Sequence, residues 1–127
     1  MQLISTDKAP VPAGHYSQGV VHNGVVYVAG QLAIVPGQKE HQVGSIGEQT
    51  EQTLRNVQAI LQAADSDLDR VLQMTIYVSD ISLWGEVNAA YVRVMGNHKP
   101  ARAVVPVKDL HYGYQIEIQA IAATGRA

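Results

Sequence analysis

The stretch SQGVVHNGVVYVAG, residues 17–30, decides how the chain folds. Two short valine-rich runs flank Asn23-Gly24, the dipeptide that best fits the positive-φ turn of a two-residue β-hairpin. The chain therefore begins by building antiparallel sheet. A polar, glycine-containing loop, PGQKEHQVG, follows. Ser45 and Glu48 then form an S-x-x-E capping box, opening a helix that runs to about Ala64. Ile46, Leu54, Val57, Ile60, Leu61 and Ala64 fall on one face of it. Glu51 and Arg55, one turn apart, pair outside.

Beyond that helix, DSDLDRV turns the chain into MTIYVSD, a strand rich in β-branched and aromatic residues. A second helix spans Ser82 to Met95, with Trp84, Val87, Tyr91 and Val94 along its buried stripe. After Pro100, ARAVVPV and YQIEIQAIAA read as two further strands. The order is hairpin, helix, strand, helix, strand, strand. It predicts an α+β fold, with two helices on one face of a single sheet, in one domain over residues 1–127. Two helices cover only one sheet face. Yet VVYVA, AVVPV and IQAIAA are apolar at odd and even positions alike, so the second face also needs a cover. An oligomer is expected from patterning alone.

Composition narrows the function classes. The 127 residues suffice for one hydrophobic core, and 46% apolar with 16% charged residues describes a folded globular chain. There is no Phe, so the core is mainly aliphatic. A net charge of −2 gives no electrostatic footprint for nucleic acid or an anionic membrane. The absence of cysteine excludes disulfides, thiolate metal sites and a cysteine nucleophile. The N-terminus carries no apolar signal-type region, and no run approaches the length of a membrane span, so a cytoplasmic location is expected. His15, His22, His41, His98 and His111 lack H-x-H or H-E-x-x-H spacing, so no metal site is expected.

Two charges stand out. Glu117 is the only Asp, Glu, Lys or Arg between Asp109 and Arg126, and Arg102 is the only one between Lys99 and Lys108. Two isolated, opposite charges on consecutive strands can form a structural ion pair, which is expensive to desolvate and adds little net stability. They can equally do chemistry. An arginine fork grips a carboxylate bidentately, and a glutamate in a partly desolvated cleft handles protons near neutral pH. From these residues alone both readings stand.

PARAVVPVKDL, then five residues, then IEI, resembles the C-terminal signature of the RidA/YjgF/UK114 family of reactive enamine/imine deaminases. AGHYSQGV, VYVAGQLA and VNAAY fall, in order, where that family has similar segments. The resemblance implies a chorismate-mutase-like fold assembled as a homotrimer, with ligand clefts between subunits. It also implies hydrolysis of small 2-imino acids and their enamine tautomers to 2-oxo acids and ammonia, without metal or organic cofactor. By position, Arg102 would bind the substrate carboxylate, and Glu117 would direct water and shuttle protons. Tyr16, Ala29, Gly30, Asn88 and Val104 would bound the substrate. Several positions depart from better-known members. Ala29 replaces a hydroxyl residue, Val104 a cysteine and His15 a proline, while HYGY, residues 111–114, makes an aromatic loop before the last strand. Two alternatives remain: a trimer that binds carboxylates without turning them over, and a single-strand endoribonuclease, to which the negative charge lends little support.

Overall fold

The computed structural model of the protein describes residues 1–125. Strand β1 (Gln2–Ile4) precedes the expected hairpin of β2 (Gly19–His22) and β3 (Val25–Gln31). Asn23 and Gly24 both take positive φ, 51° and 76°, as a twist-matched two-residue turn requires. Helix α1 (Ile46–Ala63) starts at the expected box: Ser45 Oγ accepts from Glu48 N, and Glu48 Oε1 accepts from Ser45 N. All six apolar positions named for its inner face are buried. The outer pair differs from expectation, because Arg55 Nη1 donates to Gln58 Oε1 at 2.9 Å rather than pairing with Glu51. Strand β4 (Val71–Val78) follows, then a short 3-10 turn at Ile81–Leu83 and helix α2 (Trp84–Met95). Val87, Ala90, Tyr91 and Met95 are its buried residues, while Trp84 and Val94 are half-buried. Strands β5 (Ala101–Pro106) and β6 (Ile116–Ala123) complete the chain.

The six strands form one sheet in the order β1-β2-β3-β6-β4-β5. Strand β5 runs parallel to β4, which needs a crossover connection, and α2 provides it. Strand β6 inserts between β3 and β4, antiparallel to both. The last two strands are therefore not neighbours. A pairing of Arg102 with Glu117 across adjacent strands does not occur, because β4 lies between them.

Both helices cover the same face. Leu54, Val57, Ile60 and Leu61 of α1 and Val87 and Tyr91 of α2 join one core with Val26, Val28, Met74, Ile76, Ile116 and Ile118 of the sheet. The opposite face carries Tyr27, 49% exposed, and half-buried Val25, Tyr77 and Ile121. This uncovered apolar face is the one that the two-sided strand patterning predicts. No helix among the described residues is long and apolar enough to cross a membrane.

Candidate active site

Glu117 and Arg102 lie on opposite faces of the sheet. Within β4, Met74 is fully buried on the helix side, and Tyr77, at opposite parity, belongs to the open side. Arg102 is paired with Met74 and Glu117 with Tyr77, so each charge takes the face of its partner.

Glu117 sits in a cavity of about 410 Å³ whose floor is β3. The register of β3 against β6 slips between Val28 and Gln31, a bulge that re-aims the residues in it. Buried Gln31 fastens the bulge with its own amide, Nε2 donating to Ala29 O at 3.0 Å. The carboxylate lies directly over Gly30. A Cβ there would overlap Glu117 Oε2 and come within 3.0 Å of its Cδ. Gly30 is thus required by the carboxylate rather than by backbone conformation. Tyr16, Ala29 and Gly30 all line this cavity with Glu117.

The rest of the wall is made by loops that buried amides hold in place. Gln18, 3% exposed, accepts from Thr6 N at 2.7 Å and donates to Thr6 O and Pro10 O, setting the N-terminal segment along the rim. Asn56 of α1 donates to Leu32 O and Ile34 O at 3.0 and 2.7 Å, fixing the chain as it leaves β3. Gln49 donates to Gln115 Oε1 and accepts from Gln115 N, tying α1 to the entry of β6. Sequence reasoning missed these three amides. Their signal was a polar side chain at the border of an apolar helix face, or next to a strand, where burial obliges it to find partners.

Arg102 occupies a second cavity, of about 400 Å³, between α2 and β5. Its guanidinium carbon lies 4.8 Å from the ring centroids of both Trp84 and Tyr91, so two aromatic faces hold the cation. Nη1 donates to Asn88 Oδ1 at 3.1 Å. Asn88 therefore contacts the arginine and helps to aim it. The Tyr91 hydroxyl is buried without a hydrogen-bond partner, and burial raises its pKa against the opposing pull of Arg102. Among the described residues, Arg102 has no acidic partner and Glu117 no basic one. Arg102 is held in place by Trp84, Tyr91 and Asn88, and both charges are left uncompensated.

The substrate-binding set implied by resemblance thus divides. Tyr16, Ala29 and Gly30 accompany Glu117, and Asn88 accompanies Arg102. Val104 lines neither cavity. It pairs with Ile76 and packs against the core from the helix side. Among the described residues no group of three or more His, Cys, Asp or Glu stands close enough to hold a metal ion.

A mixed six-stranded sheet with two helices on one face, and two cavities holding opposite charges, defines the structural class. The sequence profile of the family described as Endoribonuclease L-PSP matches residues 6–124, and the chain belongs to this family, that of RidA and YjgF. Rat 2-iminobutanoate/2-iminopropanoate deaminase is 39% identical over 124 residues, covering 98% of this chain and 90% of that protein. RidA from the Antarctic bacterium Psychrobacter sp. PAMC 21119 superimposes with a TM-score of 0.92 at 36% identity, over 97% of this chain and 99% of its own. Escherichia coli TdcF, solved with bound serine, gives a TM-score of 0.92 at 30% identity, over 98% of this chain and 100% of its own.

Proposed function

We propose that the protein is a cofactor-independent deaminase that hydrolyses small 2-imino acids to 2-oxo acids and ammonia. One observation carries this reading: an arginine and a glutamate, each held without a counter-charge in its own cavity, on opposite faces of the sheet. A cavity with the arginine alone grips a carboxylate; one with the glutamate alone handles water. Together they serve a substrate that is a carboxylate at one end and an imine at the other. The rat relative is named for that substrate class, and the TdcF structure holds an amino acid.

The reaction is R–C(=NH)–COO⁻ + H₂O → R–CO–COO⁻ + NH₃. The guanidinium of Arg102 takes the substrate carboxylate, pre-aimed by Asn88 and two aromatic faces, which lowers the ordering cost of binding. The Glu117 carboxylate accepts a proton from water as its oxygen attacks the C=N carbon. It returns that proton to the nitrogen, giving a carbinolamine, and then carries the remaining hydroxyl proton to the same nitrogen, which leaves as ammonia as the C–N bond breaks and the carbonyl forms. The Gly30 backbone bounds the reacting end.

Because the half-sites lie on different surfaces of one chain, a complete site joins the open sheet face of one copy to the β5 edge of the next. Such a contact is heterologous and generates closed rings, of which a trimer is one. Its formation would also cover the exposed apolar face. The endoribonuclease reading has less support. The net charge is −2, and no lysine or arginine lines the Glu117 cavity. The test generates imines with an amino-acid oxidase and lets semicarbazide compete for them. The protein should accelerate 2-oxo acid formation, Arg102→Ala should raise KM, and Glu117→Gln should lower kcat by about 10²–10⁴. No acceleration with any of several precursors would refute the assignment.

A further inference from the structure

The Glu117 cavity extends well beyond the reacting carboxylate. Its volume is room for on the order of a dozen waters, far more than the smallest imino acids fill. Away from Glu117 the wall is mainly apolar and aromatic, formed by Val11, Tyr16, Leu32, Ile34 and Tyr112, with the His111 imidazole beside Tyr112. Glu117 is its only carboxylate.

Tyr112 is held there at a conformational cost. Its φ and ψ are 63° and 17°, the left-handed region that a bulky L-residue seldom adopts. Strain of this kind persists only where surrounding contacts over-determine it. The contacts are visible: the His41 ring stacks on Tyr112 with centroids 4.2 Å apart and planes 14° off parallel. His41 is fixed in turn by a 3.2 Å hydrogen bond between Nδ1 and the Tyr114 hydroxyl. All this does not bury the ring, which stays 50% exposed at the cavity wall. An aromatic side chain buttressed from one side and open on the other is a stacking surface awaiting a planar apolar group.

Building on the deaminase reading, we propose that Tyr112 is a specificity-determining residue selecting 2-imino acids with aromatic side chains. The imine end lies at Glu117, and the side chain reaches the Tyr112 ring across a wall without lysine or arginine. Acidic side chains are disfavoured by repulsion from Glu117 and by the lack of a lysine or arginine to pair with them. The enzyme supplying such a substrate is of the class that oxidises an aromatic amino acid at its α-amino group.

The test measures kcat/KM for imines made in situ from L-phenylalanine and L-alanine, with semicarbazide as the competing trap. Wild-type protein should favour the phenylalanine-derived imine by about tenfold or more. Tyr112→Gly, which relieves the left-handed strain while removing the ring, should reduce that ratio by about tenfold. A ratio near unity, or one unchanged by Tyr112→Gly, overturns the inference. Titration with phenylpyruvate and pyruvate separates it from the parent reading. If no imine is hydrolysed, the deaminase assignment fails. Tighter phenylpyruvate binding that disappears in Tyr112→Gly then still supports the aromatic site, and equal binding of the two acids overturns it.

Discussion

Mixing two inactive variants tests whether the active site spans two copies. Arg102→Ala removes the carboxylate grip from the helix-side cavity, and Glu117→Gln removes the proton-handling group from the open-face cavity. Each homogeneous variant lacks one half of every site. Replacing a charged hydrogen-bonding partner costs on the order of 1.5–3 kcal/mol of binding, roughly 10- to 150-fold, and losing the general base costs about 10²–10⁴ in rate. With the arginine and glutamate on opposite faces, the proposed site takes its arginine from one copy and its glutamate from another. In a one-to-one random mixture, about half the arginine half-sites and about half the glutamate half-sites are intact. About one quarter of the sites in the heterologous ring then carry both groups. The assay unfolds and refolds the two purified variants separately and together, then measures imine hydrolysis per chain. Recovery to about a quarter of wild-type activity is expected, from a background at least tenfold lower. A refolded mixture that forms mixed oligomers yet stays as inactive as its parents would refute the shared site. It would mean that both charges serve one cleft within a chain.

Gly30→Ala should separate the carboxylate from the fold. The added methyl meets the movable end of Glu117, so the melting temperature should change little, while kcat falls at least about tenfold through displacement of the carboxylate. Equal losses of stability and activity would show that the glycine serves the backbone. Tyr91 and Tyr114 give a pH prediction. Burial raises both phenol pKa values, so above the ordinary value near 10 the unfolded chain loses these protons first. Stability is full below that pH and falls as pH rises toward the folded values. Urea midpoints should drop between pH 9 and 11, and Tyr91→Phe should make the drop shallower. An unchanged slope would mean that Tyr91 does not contribute.

Local patterns carried the elements because the forces that make them are local. Asn23-Gly24 sets its own turn, Ser45 and Glu48 cap each other over one helical turn, and alternation alone separates Glu117 from Ile116 and Ile118. The strand order was not legible, since no local signal says that β6 enters between β3 and β4. That missing step is what made Arg102 and Glu117 look like neighbours. The additional strand β1 escaped for a related reason: its three residues are too short to show a period, and pairing with β2 is what makes them a strand. In α1, Gln49, Thr50, Thr53 and Asn56 are polar by type yet buried. Their partners include Gln115, Leu32 and Ile34, far along the chain.

The same geometry sorts the departures from the family pattern by consequence. Val104 is in contact with the core and touches neither cavity, so a valine for a cysteine there changes packing behind the arginine rather than the surface offered to a ligand. Ala29 lies in the bulge beside Gly30 and lines the Glu117 cavity, so the missing hydroxyl is lost from the imine end of the site. Arg102 is supported by Trp84, Asn88 and Tyr91, of which Asn88 and Tyr91 lie in VNAAY, a segment that carries the resemblance. His111 and Tyr112 of the aromatic loop line the same cavity as Ala29. The altered positions that reach a cavity thus concentrate around Glu117, while the cavity of Arg102 contains none of them. On the proposed deaminase reading, a chain changed in this way keeps its grip on 2-imino carboxylates and moves its selectivity to the substituent they carry.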